Sequence, residues 1–383
     1  MADKIFKFFS SLKLTVACMV CASILVFVGT LAQVNEGLYD AQVRYFRSLL
    51  IYWYPSGGSF GIPVFPGGYL LGWVLLINLL TAHYTRFKFA WSKLGIFMTH
   101  FGLILLLIGQ FATERLQTES MLELVEGGSK NYSEAGREVE LVFIDRSNPD
   151  EDTVISIPQS WLKSGREISN PALPFTVHID TFYPNSDIQT HAPMVSTNAV
   201  AATQGTGAKV ELSNAPLATT MDSRNVPSAV ISFGGEDAPS GTWLVSPMLN
   251  GPEVISAGSK NYDAELRFTR YYMPYSIQLV DFKHDKYIGT DTPKNYSSRV
   301  ILDDPTNDET REVTIWMNHP LRYAGTTYFQ AGFERGRDDL TRLQVVKNPT
   351  WLTPYISVII IGLGLIIQFM IHLVRFANQR KRA

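Results

Sequence analysis

The sequence predicts a polytopic α-helical membrane protein, with four transmembrane helices and a large β-rich extracytoplasmic domain resembling a sandwich or open barrel. Three observations carry that prediction. First, charge is segregated: in a chain of 383 residues, the stretch 113–350 holds 32 of the 35 acidic and 21 of the 33 basic side chains, net −11, while the remainder holds 3 acids and 12 bases, net +9. Second, apolar runs of membrane-spanning length lie on both sides of that stretch. Third, within it apolar and polar residues alternate in short runs separated by turn residues. Together these exclude a simple soluble enzyme. The acidity of the polar domain argues against a nucleic-acid partner. Two cysteines, both outside the polar stretch, exclude a disulfide scaffold.

The first span is expected over residues 14–34, which carry no charge and follow Lys4, Lys7 and Lys13. No small-x-small cleavage site ends this run, so it reads as a retained helix rather than a signal peptide. The second is residues 68–84, near the lower length limit and interrupted by Asn78. The third, 94–112, is apolar except for His100 and Gln110; the fourth, 355–374, contains Gln368 and His372. With four spans, the lysine-bearing N-terminus, the 85–93 loop (Arg86, Lys88, Lys93) and the tail (Arg375, Arg380, Lys381, Arg382) share one side. The positive-inside rule makes that side cytoplasmic in a bacterial inner membrane, with both termini inside and the 113–350 domain periplasmic or its equivalent. The chain then divides as 1–34, 35–67, 68–84, 85–93, 94–112, 113–350 and 351–383.

In the 35–67 loop, Tyr39, Val43, Phe46 and Leu50 recur at helical spacing with Arg44 and Arg47 off the stripe, as in a short interfacial helix that connects, covers or docks. Prolines and glycines from Pro55 to Gly68 then lead into the second span. In the large domain, strands are expected at 138–144, 175–179, 276–280, 312–317 and 343–346, with a turn at 303–308. The helical alternative is confined to 196–225. Residues 203–228, poor in large apolar side chains, read as either a loop or a seam, leaving one lobe or two open. At this size the domain buries a core of its own.

Chemistry is sought first among the seven histidines. An imidazole inside a membrane helix is costly unless partnered, which singles out His100. It either ligates a metal through one ring nitrogen, relays protons, or hydrogen-bonds across the bundle to a residue such as Asn78 or Gln368. His83 and His372 lie at span ends, where interfacial histidines are ordinary; if their helices are neighbours, the two flank a cofactor entry point. His319, in a strand end before Pro320, is held firmly enough to ligate or dock. His178, His191 and His284 read as structural. Cys18 and Cys21 have C-x-x-C spacing in an apolar helix that disfavours a thiolate, so they read as packing. No phosphate-loop, dinucleotide, zinc-protease or nucleophile-elbow motif occurs.

Several blocks resemble the ResB family of cytochrome c biogenesis proteins. Ser11-Leu12-Lys13-Leu14-Thr15 opens the first span and Gly29-Thr30 lies near its end. Leu94-Gly95-Ile96-Phe97-Met98-Thr99-His100-Phe101-Gly102 opens the third. The most specific block is residues 313–330, containing Trp316-Met317-Asn318-His319-Pro320-Leu321-Arg322-Tyr323, preceded by Pro274-Tyr275-Ser276-Ile277-Gln278-Leu279.

The resemblance implies one half of a haem-handling cytochrome c synthase, an accessory subunit of a haem lyase complex with no catalytic residue assigned here. The other half is a tryptophan-rich polytopic haem-binding subunit (CcsA/ResC-like). Together the halves move haem outward and present it, reduced, to the Cys-x-x-Cys-His segment of an apocytochrome c for thioether attachment. By motif, His100 matches the family's intramembrane axial ligand to transiently and non-covalently held haem iron, the only metal implied; His83, His372 and His319 are weaker candidates for cofactor binding. The basic side chains Arg86, Lys88 and Lys93 suit haem propionates, although topology alone explains them. No tryptophan-rich run occurs, since Trp161, Trp243, Trp316 and Trp351 are scattered, so a surface haem site belongs to the partner. Besides lipid, the expected partners are therefore that subunit and apocytochrome c. Two alternatives stand: a non-catalytic assembly scaffold in which His100 ties helices together, and a membrane redox or relay protein, which the absence of Asp and Glu from the four spans disfavours.

Overall fold

The computed structural model describes the chain except residues 1, 56–59, 87–89, 150, 191–201, 219–223, 237, 288, 290–292, 335–336 and 381–383. It divides into two compact units. One takes the N-terminal residues through Thr118 together with the segment from Lys347 onward; the other takes Glu119–Ala218 and Asp222–Val346. His191, Lys88, Lys381 and Arg382, and residues 196–201 and 219–223 of the 196–225 stretch, lie outside the described residues.

The first unit is helical. A short α1 (Ala2–Phe9) precedes α2 (Leu12–Glu36), and the Ser11 hydroxyl caps α2 by accepting from Lys13 N at 3.2 Å. Gly37, at φ 83°, ends α2 by a turn that a side chain disfavours. The expected interfacial stripe is helical as α3 (Leu38–Ala41) and a π-helical turn over Gln42–Phe46, but Leu50 falls in a strand. That strand, β1 (Leu50–Trp53), pairs antiparallel with β2 (Ile62–Pro66) in a hairpin that the reading of a loop did not foresee. Next come α4 (Gly68–Arg86), α5 (Leu94–Leu116) and, after the second unit, α6 (Thr353–Arg380).

Among the described residues, three helical segments are long and apolar enough to cross a bilayer: Leu12–Glu36, Trp91–Leu116 and Thr353–Arg380. The second predicted span forms as α4 but is not among them. Trp73, Asn78, Thr81, His83 and Tyr84 dilute its apolar character.

The second unit has two cores. In the first, one layer consists of the C-terminal half of β4 (Ser129–Asp145) with β5 (Thr153–Pro158), and of β12 (Glu253–Ala257) with the N-terminal half of β13 (Lys260–Lys286). It packs on a four-stranded sheet containing β6 (Arg166–Ile168), β7 (Thr176–Tyr183), β10 (Ser228–Gly234) and β11 (Thr242–Val245), in the order β11-β10-β7-β6. Phe143, Phe175, Ile179, Ile231 and Leu266 fill this sandwich. A small hairpin, β8 (Ser186–Thr190) with β9 (Val210–Asn214), supplies Leu212 to a side cluster with Val230 and Leu244.

The other halves of β4 and β13 continue into the second core. There they join β3 (Thr118–Val125), β14 (Pro293–Asp304), β15 (Glu309–Trp316), β16 (Leu321–Tyr323), β17 (Thr326–Glu334) and β18 (Arg337–Lys347). The order β15-β14-β13-β4-β3-β18-β17-β16 returns nearly upon itself, because Trp316 and His319 exchange backbone hydrogen bonds between β15 and β16. The expected choice between a sandwich and an open barrel is thus met by two lobes, a sandwich-like one and a nearly closed barrel-like one. All five expected strands form, with Phe175 and Met317 falling just outside β7 and β15, whereas the described part of the 196–225 stretch forms a 3-10 turn and β9 rather than a sustained helix.

Where β4 and β13 pass between lobes, Arg267 donates to Glu140 at 3.0 Å, and Ser156 donates to the same carboxylate at 2.6 Å. Both charged side chains are nearly buried. Removing one partner of such a pair leaves a buried charge, at a cost of about 3–5 kcal/mol. Arg267→Met is therefore expected to lower the denaturant midpoint, and the double variant Arg267→Met/Glu140→Leu to recover much of it.

In the barrel, Tyr323 donates to Asp304 at 2.7 Å, and that acceptor carboxylate pushes the Tyr323 phenol up to about 12 from an ordinary 10.0. A raised pKa means its contribution to stability is whole below pH 10 and is lost as pH rises through 12. Tyr323→Phe should remove one late-titrating tyrosinate, with a midpoint near pH 12, from the alkaline absorbance curve and flatten the alkaline decline in stability.

Candidate functional site: an imidazole pair between helices

Three glycines seven residues apart on α5 set the site. Gly95, Gly102 and Gly109 are buried. A Cβ at Gly95 would overlap Gly364 O and Gln368; one at Gly102 would meet Ile361 and Ser357 O; one at Gly109 would meet Thr353. Small residues at this spacing let two membrane helices approach backbone to backbone. At about 100° per residue, His100 stands about 140° around α5 from the Gly95 stripe. The close contact with α6 thus turns His100 toward α4.

There it meets His83. The ring centroids are 5.2 Å apart and the planes cross at 77°, edge to face, while Phe97 lies 5.7 Å from His83. Farther along the same helix pair, Trp73 stacks on Phe111 at 4.3 Å, the planes 16° apart. Both histidines are half-buried. The two partners considered for a purely bracing His100 form hydrogen bonds elsewhere. Asn78 accepts from the Thr15 hydroxyl at 2.7 Å and donates to Phe9 O and Ser11 O, tying α4 to the α1–α2 break. Gln368 accepts from Ile96 N at 3.3 Å and hydrogen-bonds His372 at 3.0 Å.

The other predicted residues are distributed differently. His372 is exposed on α6 beside Gln368, so His83 is brought to His100 rather than paired with His372. His319 belongs to the second unit: Asn318, at φ 63°, turns the chain, and the exposed His319 ring stacks on Trp316 at 4.2 Å. His178 lies in β7 opposite Ser232, and His284 lies in β13 opposite Tyr296. Cys18 packs with Leu25, Tyr45 and Leu71, and both thiols are free. Lys93 is exposed at the start of α5.

The chemistry of the donors suits porphyrin iron, which takes one or two protein ligands. Among the described residues, no group of three or more His, Cys, Asp or Glu side chains is placed to hold a metal ion. Two imidazoles clamping one iron each hold it through a nitrogen at about 2 Å, which sets their ring centres about 6 Å apart across the macrocycle. At 5.2 Å and edge to face, His83 and His100 touch each other. The arrangement of these two residues therefore fits one axial bond with a second imidazole beside it, not a two-ligand clamp by the pair.

Sequence reasoning did not foresee the His83–His100 contact, the Phe97 ring beside it, or the Trp73–Phe111 stack farther along the same helix pair. A usable signal was present. Two antiparallel helices joined by a short loop bring together residues that lie a few positions from it on either side, as His83 and His100 do.

A model described as the ResB-like family matches residues 241–341, from β11 into β18, and so contains the Trp316–His319 closure. Over 94 residues the chain is 32% identical to Protein NrfI of Wolinella succinogenes; the aligned stretch is 24% of this chain and spans only 10% of that protein. Residues 241–341 are thus similar to the ResB-like family, in agreement with the resemblance carried by residues 313–330.

Proposed function

We propose that this chain serves cytochrome c biogenesis as the non-catalytic half of a haem-handling synthase, with haem as transient cargo at the α4–α5 seam. The single observation that carries this reading is the imidazole pair, set by the glycine stripe within the helical unit. His100 is the axial ligand. His83 positions its ring, and Phe97 lends an apolar wall. A single bond from this chain suits delivery, because the second axial ligand then comes from the tryptophan-rich CcsA/ResC-like partner and haem passes on by ligand exchange. The imidazole and its dielectric surroundings tune the iron.

The topology that goes with this role has four spans, α4 being the least apolar. Basic residues at the N-terminus, in the 85–93 loop and in the tail support, by the positive-inside rule, a cytoplasmic side for both termini. His83 and His100 then lie toward the cytoplasmic side, with Lys93 placed to attract propionates, and the two-lobed β domain is extracytoplasmic, available to apocytochrome c.

The test is the Soret absorbance of the full chain purified with its partner subunit. His100→Ala is expected to abolish the haem band of the membrane site. His83→Ala should weaken haem affinity about 10–100-fold, the usual effect of losing a residue that supports a ligand. An unchanged band in His100→Ala, with altered partner assembly, would instead favour the scaffold role.

The glycine stripe generates a separate expectation. Gly95→Leu overpacks the α5–α6 contact, at a cost of about 1–3 kcal/mol, and should lower the thermal midpoint of the detergent-purified chain. Gly136→Ala, whose added Cβ meets nothing within 4 Å, should leave it unchanged.

A further inference from the structure

The β1–β2 hairpin presents a surface that the proposed function does not use. No charged residue stands between Arg47 and Arg86. Ile51 is buried, in a cluster joined by Phe65, but most other apolar side chains on the hairpin and its flanks face outward. Trp53 is 55% exposed and Phe60 76%, with Tyr52, Tyr54, Ile62 and Val64 also exposed. An aromatic surface this open in water invites association.

Its place in the helical unit says what covers it. The hairpin grows from a belt of charged and hydroxyl groups at the ends of three helices. Arg44 pairs with Glu36, the last residue of α2, at 2.7 Å; Arg47 lies 3.4 Å from Glu114, near the end of α5; and Tyr69, at the start of α4, donates to Glu114 at 3.1 Å. The hairpin leaves this belt after Arg47 and returns to it at Gly67, whose N–H donates to Leu49 O at 2.9 Å, while Tyr69 N donates to Ser48 O at 3.2 Å. Helix ends bearing charges lie at the membrane boundary, where Trp and Tyr are enriched. Among the described residues the sheet has two strands, so its outer edges carry backbone N–H and C=O groups that hydrocarbon cannot satisfy but headgroups and water can.

We propose that this hairpin is seated in the interfacial layer of a lipid bilayer. There Trp53, Tyr54 and Phe60 rest among headgroups and upper acyl chains, and Arg44 and Arg47 lie at the phosphate level. The hairpin is a lateral anchor that fixes the tilt of α2 and α4.

The test places the full chain in phosphatidylcholine vesicles whose acyl chains carry bromine either near the headgroup or near the terminal methyl. The signal of Trp53 is read as the emission of the native chain minus that of Trp53→Phe, with Trp53→Tyr as a second subtraction in case the first variant folds poorly. The expected result is loss of most of this difference emission with the shallow bromine, a smaller loss with the deep one, and little quenching by aqueous iodide. Quenching by iodide but not by bromine puts the hairpin in water and overturns the proposal. Quenching by neither puts protein over it, and stronger quenching by the deep bromine puts it in hydrocarbon; either result also overturns the proposal.

Discussion

The backbone approach of α5 to α6 is the constraint on which the helical unit depends. Three buried glycines leave no room for α5 to rotate about its axis without driving a side chain into Gly364, Ile361 or Thr353. That fixed rotation aims His100 at α4 and keeps an imidazole within the bundle, where it has His83 for a neighbour. Lipid drives helices together weakly, so close packing of small residues carries much of the specificity.

The β unit solves a different problem with two long strands. Residues 139–143 of β4 and 262–268 of β13 serve the sandwich, while residues 275–282 of β13 serve the barrel. Register shifts between Phe268 and Arg270 and between Tyr272 and Ile277 mark the crossing. Such irregularities bend strands and raise their twist, letting one pair of strands line two cores. The Arg267–Glu140 pair lies on β13 and β4 at this crossing, with Arg270 stacked 4.3 Å over Tyr132 nearby.

Much of this architecture was legible in the sequence because its signals are local. Uncharged runs marked α2, α5 and α6, and period-two alternation marked β4, β7, β13, β15 and β18. What escaped depends on juxtaposition. The β1–β2 hairpin was hidden because its residues are apolar on both faces, without the alternation that betrays a half-buried strand. Two lobes were undecidable because the strands that join them bear no linker-like composition. At the candidate site, His100 was conspicuous as a polar residue in an apolar helix, and the glycines were visible as spacing. Their joint effect, the rotation that selects His83 as neighbour, required the partner helix.

Strands shared by two cores also have a topological consequence. Among the described residues, no single peptide position lies between sandwich and barrel, because the chain passes between them along β4 and again along β13. Neither lobe can be excised as an autonomous fragment by one cut, and duplication or exchange of one lobe by recombination would sever hydrogen-bonded strands. The pair is inherited as a block, free to vary at its loops but not in its partition.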